Sequence, residues 1–314
     1  MSGGVDSSVA AVLLKNQGYN VVGVFLLMHE NSNFKDAQKV VQKLKIPFKV
    51  LDVRKEFKKM ILDYFINEYK KGNTPNPCVE CNRYIKFKSL IDLAIEMKAD
   101  WVATGHYAKV KNGKLFIAKD KKKDQSYFLW QLTQKQLSKV IFPLGDYTKE
   151  QVRGLAKKFG IPVAEKKDSQ DICFTVPCRS FKAEAGSILT KDGKKIGKHK
   201  GLIFYTIGQR KGLEIGGAGP YYVVKKDFKN NTLIISNSQE DLLQKEMIVK
   251  NVNWISGKSF NGKCKVKIRS MAKIVNAIIN KNKVIFIKPQ RAITPGQSAV
   301  FYKGNEVLGG GVIL

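Results

Sequence analysis

The chain has 314 residues, 43% of them apolar, and a net charge of +30 from 56 basic against 26 acidic side chains. That length exceeds one compact core and fits two or three domains, and the apolar share excludes a disordered chain. No apolar run approaches a bilayer span and no charged start precedes an apolar segment, so the expectation is a cytoplasmic protein with no membrane partner. There the five cysteines should be mostly reduced. The charge suits a partner rich in phosphates, although most basic residues are Lys, which a bias toward Lys codons also explains.

Ser7 to Gln17 reads as a helix with Val9, Val12 and Leu13 on one face, and the run 20–28 (NVVGVFLLM) as a buried strand. Helical periodicity over 36–45, a strand-like run over 46–53, and amphipathic helices over 56–71 and 83–99 follow. The stretch 100–107 reads as a strand entering a Gly turn. Alternating strands and helices predict a parallel α/β sheet. The tract KDKKKD (119–124) reads as a solvated loop. After about residue 175 helical periodicity fades. From Gly186 the short runs 200–208, 220–227, 231–237, 264–271, 283–289 and 297–302 predict β structure separated by Gly, Asn and Pro. The charged segment 240–251 is expected to divide this half in two.

Two stretches carry chemistry. The opening MSGGVDSSVAAVLL sets two glycines and Asp-Ser-Ser at the start of a helix. Glycines allow close backbone approach, and a helix N-terminus offers free N–H groups and positive dipole to an anion. No Gly-Lys-Ser/Thr follows, so γ-phosphoryl transfer is not indicated. The second stretch, NTPNPCVECN (73–82), sets Cys78 and Cys81 in Cys-x-x-Cys spacing, which in a reducing compartment reads as metal-binding or catalytic.

The string SGGVDSS resembles the pyrophosphate loop of the PP-loop ATPases, which cleave ATP between the α and β phosphates and adenylate a carbonyl oxygen. TPNPCVECNRYIKF (74–87), ATGHYA (103–108), KDQSYFL (123–129), KDSQDICF (167–174), GQRKGL (208–213) and TPGQSAVFY (294–302) follow in this order. Together they resemble the tRNA-specific 2-thiouridylase family over essentially the whole chain. The resemblance implies a Rossmann-like α/β PP-loop ATPase domain over 1–180, a central β-rich domain over 181–242 that positions tRNA, and a C-terminal β-barrel over 243–314. It implies ATP and Mg2+ as cofactors, tRNA as partner, and a cysteine desulfurase or sulfur-relay protein as sulfur donor. ATP would adenylate the 2-oxo oxygen of the wobble uridine of tRNAs for Lys, Glu and Gln. A persulfide on Cys173 would deliver sulfur, and Cys81 would release it by forming a disulfide with Cys173. Ser2, Gly3, Gly4, Asp6, Ser7 and Ser8 would cradle the ATP phosphates, with Leu26 at the adenine and Gly105 beneath the nucleotide. Asn76, Pro77 and Cys78 would face the target base. His106, Lys123, Asp124, Gln125, Arg269, Ser270 and Gln297 would contact tRNA.

Each assignment has an ordinary alternative. His106 also reads as a satisfied structural histidine, Lys123 as part of the solvated run, and Arg269 and Gln297 as strand-surface residues. Phe128, Trp130 and Tyr205 read as core. Gly309–Gly311 reads as a tight barrel corner. Many relatives carry Asp where Cys78 stands. With it, an alternative route has Cys78, Cys81 and Cys173 holding an iron–sulfur cluster with one open iron site. Zinc lacks an obvious fourth ligand, Cys178 matches no family position, and Cys264 reads as structural. Relatives place a strand before the phosphate loop. Here Met1 stands directly before Ser2, so a late start or a fragment is expected, and the loop after Met28 is shortened. Two competing readings are a non-catalytic tRNA-binding relic and another PP-loop amidating or ligating synthetase.

Overall fold

The computed structural model describes residues 1–30, 32–167, 173–174, 183–216 and 219–314. In the first domain, α1 (Val5–Asn16) leads to β1 (Gly23–Leu27), α2 (Lys35–Leu44) and β2 (Phe48–Asp52). β1 and β2 pair in parallel from Gly23–Phe48 to Leu27–Asp52, joined through α2 as a parallel crossover requires. The two predicted long helices each contain a wide π-helical turn. α3 (Arg54–Phe57) passes through Lys58–Leu62 into α4 (Asp63–Lys70), and α5 (Pro77–Glu80) passes through Cys81–Phe87 into α6 (Lys88–Glu96). Then come β3 (Val102–Ala103), the hairpin β4 (Lys109–Lys111) and β5 (Lys114–Phe116), α7 (Gln134–Leu137), β6 (Val140–Ile141) and α8 (Lys149–Lys158). β3 and β6 form a second parallel pair, so the parallel sheet stands in two two-stranded pieces. Val5, Val9, Ala10 and Val12 of α1 pack with Val152 and Ala156 of α8. A capping box of Thr148 and Gln151 sets the start of α8.

The second domain is a four-stranded sheet in the order β8-β7-β10-β9, with β7 (Gly186–Thr190), β8 (Lys195–His199), β9 (Tyr222–Asp227) and β10 (Thr232–Ser236). The run 200–208, expected to be β-rich, is instead a 3-10 turn at Leu202–Phe204 and a loop. Gly201 at φ 133° redirects the chain there, and a Cβ on it would sit 2.5 Å from Ala183. Leu202 and Tyr205 fill the core beside Ile188, Val223 and Leu233 without pairing as a strand.

The third domain is a closed six-stranded antiparallel barrel. Its strands are β11 (Leu243–Trp254), β12 (Gly262–Lys267), β13 (Val275–Asn280), β14 (Lys283–Arg291), β15 (Ser298–Lys303) and β16 (Glu306–Ile313), and the β11–β16 pairing closes the ring. The charged segment 240–251 is not a spacer. After a 3-10 turn it becomes β11, which pairs with β14 over its first half and β16 over its second. Alternation buries Val266, Ala277, Ile279, Val284, Phe286 and Phe301 inside.

Three features bind the barrel to the first domain. Asn112 and Gly113, both at positive φ, make the tight turn of the β4–β5 hairpin, and β5 adds to the barrel edge through Leu115–Val307. Gly310 lies against Trp130, where a Cβ would stand 2.7 Å from the indole ring, so the glycine run serves a close approach within a strand and not a corner. The loop before β15 touches the NTPNPC segment. Thr74 N–H donates to the Pro295 carbonyl at 2.9 Å, and Gln297 Nε2 donates to the Thr74 carbonyl at 2.7 Å. Gly296 sits at φ 89°, with a Cβ position 2.9 Å from Thr74 N. Gly296→Val therefore combines backbone strain with a steric clash and is expected to cost about 2–4 kcal/mol. Urea unfolding checks this: the midpoint falls, and proteolysis separates the barrel earlier than in the unsubstituted chain.

Candidate active site

The helix α1 begins at Gly4 with no side-chain cap. The hydroxyls of Ser7 and Ser8 donate back to the Gly4 carbonyl at 3.1 and 2.8 Å and do not cap the helix. Ser2 ties the loop to the helix, its N–H bonding Ser7 Oγ at 3.1 Å and its hydroxyl lying 3.0 Å from the same oxygen. The first-turn amides are thereby left without a capping side chain, which is the electrostatic condition for an anion site. Three glycines shape the cradle. Gly3 at φ 70° abuts Asp36 and Ala37, whereas a Cβ on Gly4 would meet only Ser2 Oγ, at 3.4 Å. Gly105, just after β3, presses on the first turn of α1, and a Cβ there would stand 2.7 Å from Ser7 N. The residues present fit a bound polyphosphate.

Charge around the cradle is arranged by residues the sequence did not single out. Lys149 Nζ donates to both Asp6 oxygens at 2.7 and 2.9 Å, and the Tyr107 hydroxyl donates to Asp6 Oδ1 at 2.9 Å. Lys166 Nζ reaches the Gly3 carbonyl at 3.2 Å and Asp36 Oδ2 at 2.7 Å. Asp6 is one-third exposed and Lys149 nearly buried, so the pair lies between surface and interior cases. Lys149→Met should cost about 1–2 kcal/mol of stability and weaken nucleotide binding. Thermal unfolding with and without ATP separates the two effects.

The thiols gather beside the C-terminal end of β1, where Leu26 packs against them. Cys78 and Cys81 stand one helical turn apart on α5 and the π-helical turn. Cys81 is 4% exposed in an apolar cluster with Val53, Phe57, Ile61 and Ile85, on whose edge Leu26 and Phe174 pack. Leu26 thus links the strand beside the phosphate cradle to the thiols. Cys173 is exposed, and its neighbour Phe174 meets Phe65 and Phe57 edge-on at 5.3 and 5.7 Å. That aromatic anchor holds Cys173 within electrostatic reach of Cys78 and Cys81. Burial raises the Cys78 thiol and pushes Cys81 up to about 11, the nearby charge of Lys86 opposing both shifts. All three thiols are free. Among the described residues no group of three Cys, His, Asp or Glu side chains is arranged to hold a metal ion, so these donors as placed do not fit an iron–sulfur cluster. Cys178 lies outside the described residues. Cys264 is buried in the barrel core, its thiol pushed up to about 12 by desolvation.

The remaining candidates divide. Asn76 precedes α5 and the buried Pro77 opens it, placing both beside Cys78. His106 Nδ1 lies 2.8 Å from Thr104 Oγ1, between the rings of Phe87 and Phe142. Burial, with Lys86 adding, pushes it down to about 3, so it is neutral. Asp124 accepts from Ala118 N–H and the Ser126 hydroxyl, and Gln125 bonds the Tyr107 backbone in both directions at 2.8 and 2.9 Å. Gln125 thereby braces the loop carrying Gly105, and Asp124 the turn after β5. Lys123 stands beside them on the turn that follows Asp120. Arg269 Nη2 donates to the carbonyls of Ile207 and Ala292 at 3.1 and 2.8 Å and to Thr294 Oγ1, clamping the second domain to the barrel. Gln297 is likewise committed to Thr74. Ser270 is half-buried next to Arg269. Lys86 and Phe174 lie within motifs quoted above but were assigned no role. Only the spacing across the π-helical turn and the residue after Cys173 could have pointed to them.

An uncapped, glycine-bounded helix start beside parallel strands, with free thiols packed near the C-terminal end of β1, defines a nucleotide-binding α/β domain equipped for sulfur chemistry. Residues 1–177 match the tRNA methyl transferase HUP domain family, 178–237 its PRC-barrel domain, and 244–313 the aminomethyltransferase β-barrel domain. The tRNA-specific 2-thiouridylase MnmA 1 of Caldanaerobacter subterraneus is 46% identical over 351 residues, covering 100% of this chain and 96% of that protein. The MnmA 1 of Fusobacterium nucleatum is 46% identical over 331 residues, covering 99% and 91%. The chain belongs to the tRNA-specific 2-thiouridylase (MnmA) family. The U34-tRNA thiolase NcsA from Methanococcus maripaludis, solved with its [4Fe-4S] cluster, is 22% identical over 55% of this chain and 59% of that one, at a TM-score of 0.36, a likeness too slight to argue from.

Proposed function

We propose that the chain is a cytoplasmic tRNA-uridine 2-sulfurtransferase that spends ATP to replace the 2-oxo oxygen of the wobble uridine in tRNAs for Lys, Glu and Gln with sulfur. The observation that carries the reading is the juxtaposition, on one strand, of an uncapped anion cradle and a cluster of free thiols. Methyl transfer, named in the family descriptions, would need neither.

ATP sits with its phosphates on the first-turn amides of α1 and over Gly4. Mg2+ would enter with the nucleotide and offset charge on its phosphates; Asp6, the carboxylate nearest the cradle, is engaged by Lys149. The uracil O2 attacks the α phosphorus, pyrophosphate leaves, and the N3 proton passes to solvent. A persulfide on Cys173, loaded by a cysteine desulfurase or sulfur-relay protein, attacks C2, and AMP departs carrying the former O2. Cys81 as thiolate then attacks Cys173 Sγ. The Cys81–Cys173 disulfide forms, the bond from Cys173 to the transferred sulfur breaks, and its electron pair stays on the base, which takes up a proton at N3. A thiol reductant restores both cysteines. Asn76, Pro77 and Cys78 line the base, and His106 stays neutral beside it. Lys123, Arg269, Ser270 and Gln297, with the basic surface of the β domains, meet the tRNA, while the bonds of Arg269 and Gln297 to neighbouring domains set the register that tRNA spans.

The test is expression of this chain in a bacterium lacking its own 2-thiouridylase, followed by mass spectrometry of tRNA nucleosides. The return of 2-thiouridine derivatives is expected. Soluble protein that binds tRNA but yields none would favour the binding-relic reading.

A further inference from the structure

A buried thiol with its pKa pushed up to about 11 is a poor nucleophile at neutral pH, yet sulfur release requires it as a thiolate. The helix that carries Cys81 offers an answer. In an α-helix, a residue five positions along points about 140° away from the first. Between Cys81 and Phe87 the backbone is π-helical, with hydrogen bonds running from i to i+5, so Lys86 comes round to the face of Cys81. Cys78, three positions before Cys81, shares that face. Lys86 is half-buried and pairs with no carboxylate among the described residues. Its charge is felt by Cys78, Cys81 and His106. Arg83 on the same turn is directed elsewhere, over the ring of Tyr84 at 5.0 Å and toward Glu80.

We propose that Lys86 is a positioning residue for sulfur transfer, brought over Cys81 by the π-helical turn so that its ammonium stabilises the Cys81 thiolate. This rests on the role of Cys81 proposed above, but the placement of the cation does not. The other titratable groups facing Cys81 are Cys78 on α5 and the Cys173 thiol beside Phe174. The described parts of β1, β2 and the α3–α4 unit packed on it are apolar. The π-helical turn is thus a device: an ordinary α-helix through the same sequence would carry the lysine off the thiol face.

The test uses the free protein, without ATP or tRNA. Cys81 is alkylated with iodoacetamide across a pH series, and the modified peptide is counted by mass spectrometry. In Lys86→Met the rising limb should lie about one pH unit higher, making alkylation about tenfold slower at any pH below that limb's plateau. Lys86→Arg should restore most of the rate, and Lys86→Gln, which keeps a polar stem, should behave like the Met variant. Superimposed profiles for Lys86→Met or Lys86→Gln and the unsubstituted chain would overturn the proposal, as would an Arg variant no faster than the Met variant. If the unsubstituted protein makes no 2-thiouridine while the alkylation profiles separate as expected, the functional reading fails and the placement of Lys86 stands.

Discussion

Cys81→Ser is expected to stop multiple turnover by about 10³-fold or more while leaving tRNA and ATP binding intact, and to accumulate a tRNA joined to the protein through Cys173. The first bond to C2 needs only the Cys173 persulfide, whereas release needs the Cys81 thiolate. Serine is a weak nucleophile toward a disulfide and forms no stable bond to sulfur, so the adduct persists. Denaturing gels without reductant should show the adduct, and added dithiothreitol should release 2-thiouridine from it. Cys173→Ser, by contrast, should give neither adduct nor product. This order of effects also separates the persulfide route from a cluster-borne sulfide. In the cluster route, loss of either cysteine disables the same ligand set, and no covalent tRNA adduct forms in either variant.

Gly105→Val is expected to remove ATP use while leaving most of the fold in place. The valine Cβ would need the space 2.7 Å from Ser7 N and 2.8 Å from the Asp6 carbonyl carbon, both backbone atoms of the phosphate-binding turn. Backbone yields less readily than a side-chain tip, so α1 must shift off β3, at about 1–3 kcal/mol in stability. A shift of about 1 Å at the phosphates is enough to cost about 10²-fold in rate. Isothermal titration with ATP and pyrophosphate release with tRNA measure the two parts. A Gly105→Val protein that binds ATP as before would show that the strand end does not define the cradle.

Much of this architecture is legible in the sequence, for reasons that differ between its parts. The helix over α1, the strands β1 and β2, and most barrel strands follow from local periodicity, because each buries one face or one run. The phosphate loop and the Cys-x-x-Cys pair are legible because their chemistry demands specific residues at adjacent positions. What escaped is non-local or departs from ideal periods. The two π-helical turns break the 3.6-residue period on which helix reading depends, and with it the assignment of Lys86 to a face. The hairpin 109–116 looks like a loop between charged tracts, since its partner strand lies far along the chain at Glu306–Ile313. The pairing of Asp6 with Lys149 spans 143 positions and leaves no local signature. Arg269 and Gln297 also bond backbone of other elements, links that no local signal in the sequence shows. The run 200–208 is apolar enough for a strand, but Gly201 turns it into the core as a 3-10 turn.

The central claim is that ATP activates the very oxygen that sulfur replaces. It is tested most directly with a tRNA carrying 18O at O2 of its wobble uridine, incubated with the protein, ATP, Mg2+ and a persulfide-generating cysteine desulfurase. The account predicts 2-thiouridine and AMP in equal amounts, with the 18O in the AMP phosphate. Thiolated product accompanied by unlabelled AMP, or labelled orthophosphate in its place, would contradict it.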